Sequence, residues 1–516
     1  MSQWMDGYMQ RLSRVREKNA SGGGQERVDL VHGLGKLTAR ERIAHILDEG
    51  SFEEIGSIVT DTRPSLDGNK RPDPSDGVVI GFGEIHGRPV ALYVMDFTVM
   101  SGSLGDQTAW KMADITAMAG QRGLPLIGVI DSAGERLSFK GGDAGMNGLA
   151  RFLKNYCLYA GIIPRITLLL GPCTGVLSVV PGLSDFLIIH QTTGFMWLGG
   201  DISSEDAGNA MFQMEKSGQC DMIAGSDEDA IEKMKMLLRY LPQNCWEGPA
   251  FLETGDDPSR REEALLEVMP DNPKFTYDIH EVIDKIVDNG EFLELKEDFA
   301  THLVVGFCRF GGRVAGVVAN NPDELSGILE PDSSDKYDRF MRFLDAFNIP
   351  LVTLVDTTAF PPGDRWERLG IIRHGAKLLH SYAHLTCPKV TMVLRRSYGG
   401  ANIVLGCSKM FPDYVYAWPT VEFAPTGPET VVHAVFHKEL AKAKEAGNYD
   451  EVYDFFLSIL KEEFSVMNLA KQWTTYYTAH EVIDPRDTRS RIVKAIALLQ
   501  NKKEYLPEKK RAIKPA

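Results

Sequence analysis

Two short stretches carry the residue types suited to holding a negatively charged oxygen with main chain alone: GPCTGV (171–176) and RRSYGGA (395–401). Each follows an apolar run that reads as a strand, ITLLL and VTMVL. Glycine adopts backbone angles closed to other residues and leaves room for a ligand to approach the chain. If a helix begins just after each stretch, its first N–H groups have no partner inside the helix. Two such amides aimed at one point form an oxyanion hole, and losing one donor from such a hole costs roughly 3–4 kcal/mol of transition-state stabilisation. The plainer alternative is that these glycines only make tight turns. Their matching positions in two halves of the chain favour the chemical reading, and two holes suit a reaction in which two different carbonyl groups each gain charge.

Other residue patterns carry less. His280 and His480 each open an HEVID stretch, but neither is followed by the second histidine that a zinc-binding helix needs. The glycines at 22–24 lie in an N-terminal region without a strand-turn-helix phosphate cradle. Arg373 and Lys377, in GIIRHGAK, are read equally as phosphate ligands or as packing residues.

The elements that must position the two stretches repeat along the chain. GVVIGFGEIHGRPVALYVMD (77–96) is similar to THLVVGFCRFGGRVAGVVAN (301–320), with Gly87–Arg88 and Gly312–Arg313 as matching turns. KMADITAMAGQRGLPLIGVIDSAG (111–134) matches KYDRFMRFLDAFNIPLVTLVDTTA (336–359), pairing Asp131 with Asp356. IPRITLLLGPCTGV (163–176) matches CPKVTMVLRRSYGG (387–400). Three matches in order and in register make duplication the better reading. LPLIGVID and IPLVTLVD are apolar throughout, as strands covered on both faces are. Met112, Ile115, Met118 and Ala119 fall at helical spacing and are expected to pack on the sheet. Each half is therefore α/β with crossover helices. Before residue 60 the chain reads as helical, and Thr38 with Glu41 fits a capping box. A linker is expected near 246–275, and the basic tail 501–516 as a frayed end or a subunit contact.

The chain has 516 residues and a formal charge of −15, with 43% hydrophobic and 25% charged residues, which fits a globular protein of two domains and argues against a nucleic-acid-binding role. The seven cysteines are scattered and form no C-x-x-C pair, as expected for reduced thiols in the cytoplasm. Neither a signal-peptide core nor a run of 18 apolar residues occurs.

A series of motifs resembles the carboxyltransferase (β) subunit of biotin-dependent acyl-CoA carboxylases, the family of propionyl-CoA carboxylase β and the transcarboxylase core. The pieces are GKLTARERI (35–43), GSFEEIGSIV (50–59), DGVVIGFGEIHGRPV (76–90), DFTVMSGSLGD (96–106), GPCTG (171–175), LPQN (241–244), GIIRHGAKLL (370–379), YGGA (398–401), YAWPT (416–420) and VIDPRDTR (482–489). The resemblance implies two tandem crotonase-like domains of ββα-type spiral units, drawn here as 1–260 on the acyl-CoA side and 261–516 on the biotin side. It further implies a homo-oligomer built as a trimer of dimers. It places the hole for the thioester oxygen at Gly175 and Val176, and the hole for biotin's ureido oxygen at Gly400 and Ala401. Ala133, Gly134 and Ile403 are the implied acyl-side contacts. The cofactor would itself supply the base, which accounts for the lack of a standout catalytic side chain. Biotin would arrive on a separate carrier protein, coenzyme A as part of the substrate, and no metal is expected. The implied partners are a biotin carboxyl carrier protein and a biotin carboxylase subunit, or a membrane decarboxylase partner.

Several positions depart from the family pattern. Val176 stands where a second glycine is usual. DSAGERLSFKGG (131–142) brings in Glu135, and DTTAFPPGDRWERLG (356–370) brings in Arg365, Trp366 and Arg368. The added arginines fit either a carboxylate on a dicarboxylic acyl chain or solvated loop charge. KMKM (233–236) imitates a biotinylation site but sits in an amphipathic helix pattern, so it is read as a decoy. Three other functions remain: a biotin-dependent decarboxylase subunit, a biotin-independent crotonase-like enzyme, and a silent scaffold.

Overall fold

The computed structural model describes residues 3–60, 75–136, 146–200, 207–272, 275–468 and 478–515. Part of the 131–142 stretch, from Leu137 onward, lies outside them. The chain divides into two compact units, Met1–Gly248 and Pro249–Ala516. Residues 249–260 pack with the second: Leu252 N donates to Gly312 O (3.0 Å), and Ala250 O accepts from Arg309 Nη1 (2.9 Å).

The first unit opens with helices α1 (Gln3–Ala20), α2 (Gln25–Gly33) and α3 (Ala39–Ile46). Strand β1 (Glu53–Ile55) precedes the hairpin β2 (Val78–Ile85) and β3 (Arg88–Met95). Then α4 (Asp106–Arg122), β4 (Leu126–Ser132), α5 (Met146–Leu158), β5 (Arg165–Thr174), α6 (Val179–Leu183) and β6 (Phe186–His190) alternate. Strand β7 (Phe195–Trp197), α7 (Ala210–Glu215), β8 (Met222–Ala224) and α8 (Asp227–Leu238) complete it. The sheet order is β1-β2-β3-β4-β5-β6-β8, with β7 on the tip of β5. The first two pairings are antiparallel and the rest parallel.

The second unit repeats this plan. It contains α9 (His280–Ile286), β9 (Phe292–Leu295), β10 (Leu303–Phe310), β11 (Arg313–Asn320), α10 (Pro331–Ala346) and β12 (Leu351–Thr357). Helices α11 (Asp364–Arg368) and α12 (Ile371–Tyr382) lead to β13 (Lys389–Tyr398) and α13 (Gly399–Val404). Strands β14 (Tyr414–Ala417) and β15 (Glu422–Ala424) follow, then α14 (Pro428–Val435), α15 (His437–Ala446), α16 (Tyr449–Phe464), β16 (Glu481–Val482) and α17 (Thr488–Leu498). The order β9-β10-β11-β12-β13-β14-β16, with β15 on the tip of β13, is that of the first sheet strand for strand.

Side-chain devices repeat with the strands. Asp48 accepts from the amides of His86 (3.0 Å) and Gly87 (2.8 Å) at the β2–β3 turn. Asp288 does the same for Gly311 (2.8 Å) and Gly312 (2.7 Å) at β10–β11. Lys111 in α4 donates to Ser75 O and Val78 O, and Lys336 in α10 to Lys296 O and Phe299 O. Burial lowers both amines, Lys111 to about 8 and Lys336 to about 7.

The local expectations are met where sequence chemistry is short-range. Thr38 and Glu41 form the capping box of α3. Met112, Ile115 and Ala119 are buried under the sheet, and Met118 is half-buried. KMKM lies inside α8, with Met234 buried and Met236 exposed. The glycines at 22–24 join α1 to α2, and Gly23 N donates to Thr98 Oγ1 (3.0 Å). The basic tail has no regular structure and is mostly exposed over its described length, with Lys502 bound to Asp413 (2.9 Å) and Lys514 reaching Asp338. All seven cysteines are free thiols. Among the described residues no helix is long and apolar enough to cross a membrane, and no cluster of three or more His, Cys, Asp or Glu could hold a metal ion.

Candidate active site

In the first unit β5 ends at Thr174, and Gly175 takes a left-handed conformation (φ +70°). A single tight turn, Gly175–Ser178, then leads into α6. The amide of Val176 lies in that first turn, ahead of the first residue whose N–H finds an acceptor within the turn. Ala133 and Gly134 run beside it: Thr174 Oγ1 donates to Ala133 O (3.1 Å). Gly134 (φ +100°) has no room for a side chain, since a Cβ would lie 2.5 Å from Thr174 Oγ1. On its other side this loop is clamped by Ser101–Leu104, through Ala133 N to Ser101 O (3.0 Å) and Leu104 N to Gly134 O (2.8 Å). Ala133, Gly134, Gly175 and Val176 are thus brought together, with Val176 half-buried against the core of the unit.

A buried charge network fixes this loop from below. Asp131 ends β4 at a register shift and has no solvent exposure. Lys36 Nζ reaches both its oxygens (2.8 and 3.0 Å), and Arg42 Nη1 one of them (2.9 Å). Arg42 Nε also donates to Asp227 (2.9 Å), which in turn accepts from Leu37 N (2.9 Å). The GKLTARERI segment therefore anchors the strand end that carries the loop.

In the second unit β13 ends at Tyr398, Gly399 is left-handed (φ +61°), and α13 begins. Gly400 is exposed, and a Cβ there would sit 3.4 Å from the Phe360 ring, in ordinary contact. Ala401 is buried, whereas Ile403 is 41% exposed on the same helix. Tyr398 donates its hydroxyl to Glu422, and burial followed by that bond pushes its pKa well up. Asp356, at the shift matching that of Asp131, is held by Arg395 Nε (2.9 Å) and Arg396 Nε (2.7 Å) instead of by an N-terminal helix. Arg365 lies exposed on α11, its guanidinium 4.5 Å from the Trp366 ring centre. Among the described residues no hydrogen bond or ion pair ties it to Gly400 or Ala401. Lys377 pairs with Asp335 and His374 with the same carboxylate, so this part of α12 is engaged in surface ion pairs. His280 lies between Asp278 (2.6 Å) and Glu294 (2.8 Å) as a paired cation. His480 accepts from Val415 N (3.0 Å).

The sheet register relates the two turns. Ser132 aligns with Cys173 in one unit and Thr357 with Ser397 in the other, so Gly175 corresponds to Gly399 and Val176 to Gly400. Both left-handed glycines thus close a central strand and hand the chain to a helix N-terminus.

A carboxyl transferase domain model matches residues 30–513. The chain belongs to this family. Its carboxyl transferase relatives include the propionyl-CoA carboxylase beta chain of Roseobacter denitrificans, 38% identical and covering 98% of this chain and 99% of that one. The methylmalonyl-CoA decarboxylase subunit alpha of Veillonella parvula is 36% identical, covering 97% and 96%. A transcarboxylase 12S crystal structure, a hexamer with methylmalonyl-coenzyme A and methylmalonic acid bound, superposes with a TM-score of 0.93 at 36% identity over 100% and 99% of the two chains. The carboxyl transferase fold of this chain is accordingly the crotonase-like one expected.

Residues that position the site escaped sequence reading. Lys36 and Arg42 act on Asp131 from far along the chain, and only their place in GKLTARERI hinted at them. Phe360, between Gly375 and Gly400, was visible only as an aromatic within a Pro-rich loop.

Proposed function

We propose that the chain is the carboxyltransferase component of a biotin-dependent acyl-CoA carboxylase, moving a carboxyl group between carboxybiotin and the α-carbon of propionyl-CoA or a similarly short acyl-CoA. The observation that carries this is the duplicated strand-to-helix turn at Gly175 and Gly399, with unpaired first-turn amides after each. The acyl choice rests on the names of the relatives.

The Gly175–Val176 turn holds the thioester oxygen while charge develops on it, with Ala133 and Gly134 lining the approach. Gly400 and Ala401 fit a ureido group: two successive amide donors with the apolar Phe360 beside them. Biotin, when bound there on its carrier, supplies the ureido nitrogen that carries the carboxyl group. The chain's part is to orient two carbonyl oxygens and stabilise them in turn, Ile403 bordering the acyl end. Arg365 is assigned to the outer end of a carboxylated acyl chain. The carrier and a biotin carboxylase subunit are its partners, and a trimer of dimers its assembly.

The Veillonella relative favours a second reading, in which the same site runs in reverse as a decarboxylase component. One experiment addresses both. The purified chain is given malonyl-, methylmalonyl- or glutaconyl-CoA with free biotin, and loss of the carboxyl group is followed. Biotin-dependent decarboxylation of methylmalonyl-CoA is the expected result. Decarboxylation that ignores biotin, or none with any thioester, would refute the function.

A further inference from the structure

We infer that Glu135 is a specificity-determining residue of the acyl-CoA half of the site, accepting a hydrogen bond from an N–H or O–H donor that the thioester brings with it. The inference rests on the acyl-CoA reading of the Gly175 turn.

Glu135 follows the Ala133–Gly134 loop, and its backbone is pinned by a bridge to Leu104 and by Arg136 N donating to Leu104 O (2.9 Å). Its side chain faces Gly175. Oε1 is the nearest atom to the space in front of that glycine, 3.8 Å from where a Cβ would stand, with Cδ at 4.0 Å. That oxygen is almost wholly covered, although the residue as a whole is half-buried, and it takes no hydrogen bond from any described residue. Arg136, the next residue, is committed to Asp76 and Ser103.

A buried acceptor without a donor is an unfavourable state that a ligand can relieve. A carboxylate accepts and does not donate, so it cannot join the amides in holding the thioester oxygen. It can take a donor from a group lying beside that oxygen. A CoA thioester offers two sources: the pantetheine amide nearest the sulfur, and a hydroxyl or ammonium on the acyl chain.

The test is calorimetric binding of propionyl-CoA and 3-hydroxypropionyl-CoA to wild-type chain, Glu135→Gln and Glu135→Ala, each checked for an unchanged assembly and melt. A charge-assisted bond predicts a loss of about 10- to 100-fold in affinity for Glu135→Ala, with much of it restored in Glu135→Gln, whose amide keeps an acceptor oxygen. An equal loss with both thioesters identifies the pantetheine amide. A loss confined to the hydroxylated one identifies the acyl chain. Affinities for both thioesters that stay within two-fold of wild type, or that rise, overturn the inference. Because binding needs no turnover, a Glu135 effect without carboxyl transfer would count against the transfer reading alone.

Discussion

The backbone of Gly171 passes directly against the carboxylate of Asp131, so that any Cβ at 171 would overlap Oδ1. The glycine of GPCTG is there to make room for a charge that positions the site. Gly171→Ala should destabilise the first unit by about 1–3 kcal/mol, the usual range for overpacking, read as a lower melting temperature. An unchanged melt would mean that the network gives way freely.

Removing the charge should cost more. Asp131→Asn leaves Lys36 buried against a neutral group and Arg42 with Asp227 as its one remaining carboxylate, and breaking a buried pair costs about 3–5 kcal/mol. Urea unfolding of the variant measures this, and a loss below about 1 kcal/mol would contradict the positioning role.

Lys336 gives stability a pH dependence of definite sign. Its folded pKa of about 7 lies below the ordinary lysine value. Between the two the unfolded chain binds a proton that the folded chain does not, so this residue's contribution rises with pH. Lys336→Met should therefore show a shallower increase in stability than wild type from pH 7 upward.

His280 works in the opposite sense. Its hydrogen bond to Glu294, and then that to Asp278, outweigh burial and raise it to about 9. Its contribution is complete below the unfolded value of about 6.5 and is lost as pH climbs through 9. His280→Gln should erase that decline in melts taken between pH 6 and 9.5.

Arg365 can be tested by substrate. If it meets a distal carboxylate, Arg365→Ala should raise KM for glutaconyl-CoA several-fold and leave that for methylmalonyl-CoA unchanged. Equal KM values in variant and wild type would return the residue to solvated surface charge.

What was legible in the sequence was what depends on neighbours. Thr38 and Glu41 cap a helix across one turn, and Gly87 and Gly312 mark hairpins whose register follows from the turn itself. The apolar runs of β4 and β12 announced central strands because both faces are covered. Hidden were contacts made by the fold. Asp131 finds its cations in the segment before β1, while Asp356 finds them on the next strand, and nothing in the matched VID and LVD stretches distinguishes the two. The equivalence of Gly399 with Gly175 was already contained in the match of 163–176 with 387–400, and the strand register agrees with it. Glu135 was readable as an added charge, but its facing Gly175 was not.

The central claim is that main-chain amides at the α13 N-terminus hold the biotin-side oxygen, and a matched pair of variants tests it. Gly400→Pro removes the N–H at a first-turn position where proline is tolerated, and Gly400→Ala keeps it, with space for the added methyl beside Phe360. Transfer from methylmalonyl-CoA to free biotin should fall at least about 100-fold in the proline variant and stay near wild type in the alanine variant. A folded Gly400→Pro chain that transfers at the wild-type rate would contradict the account.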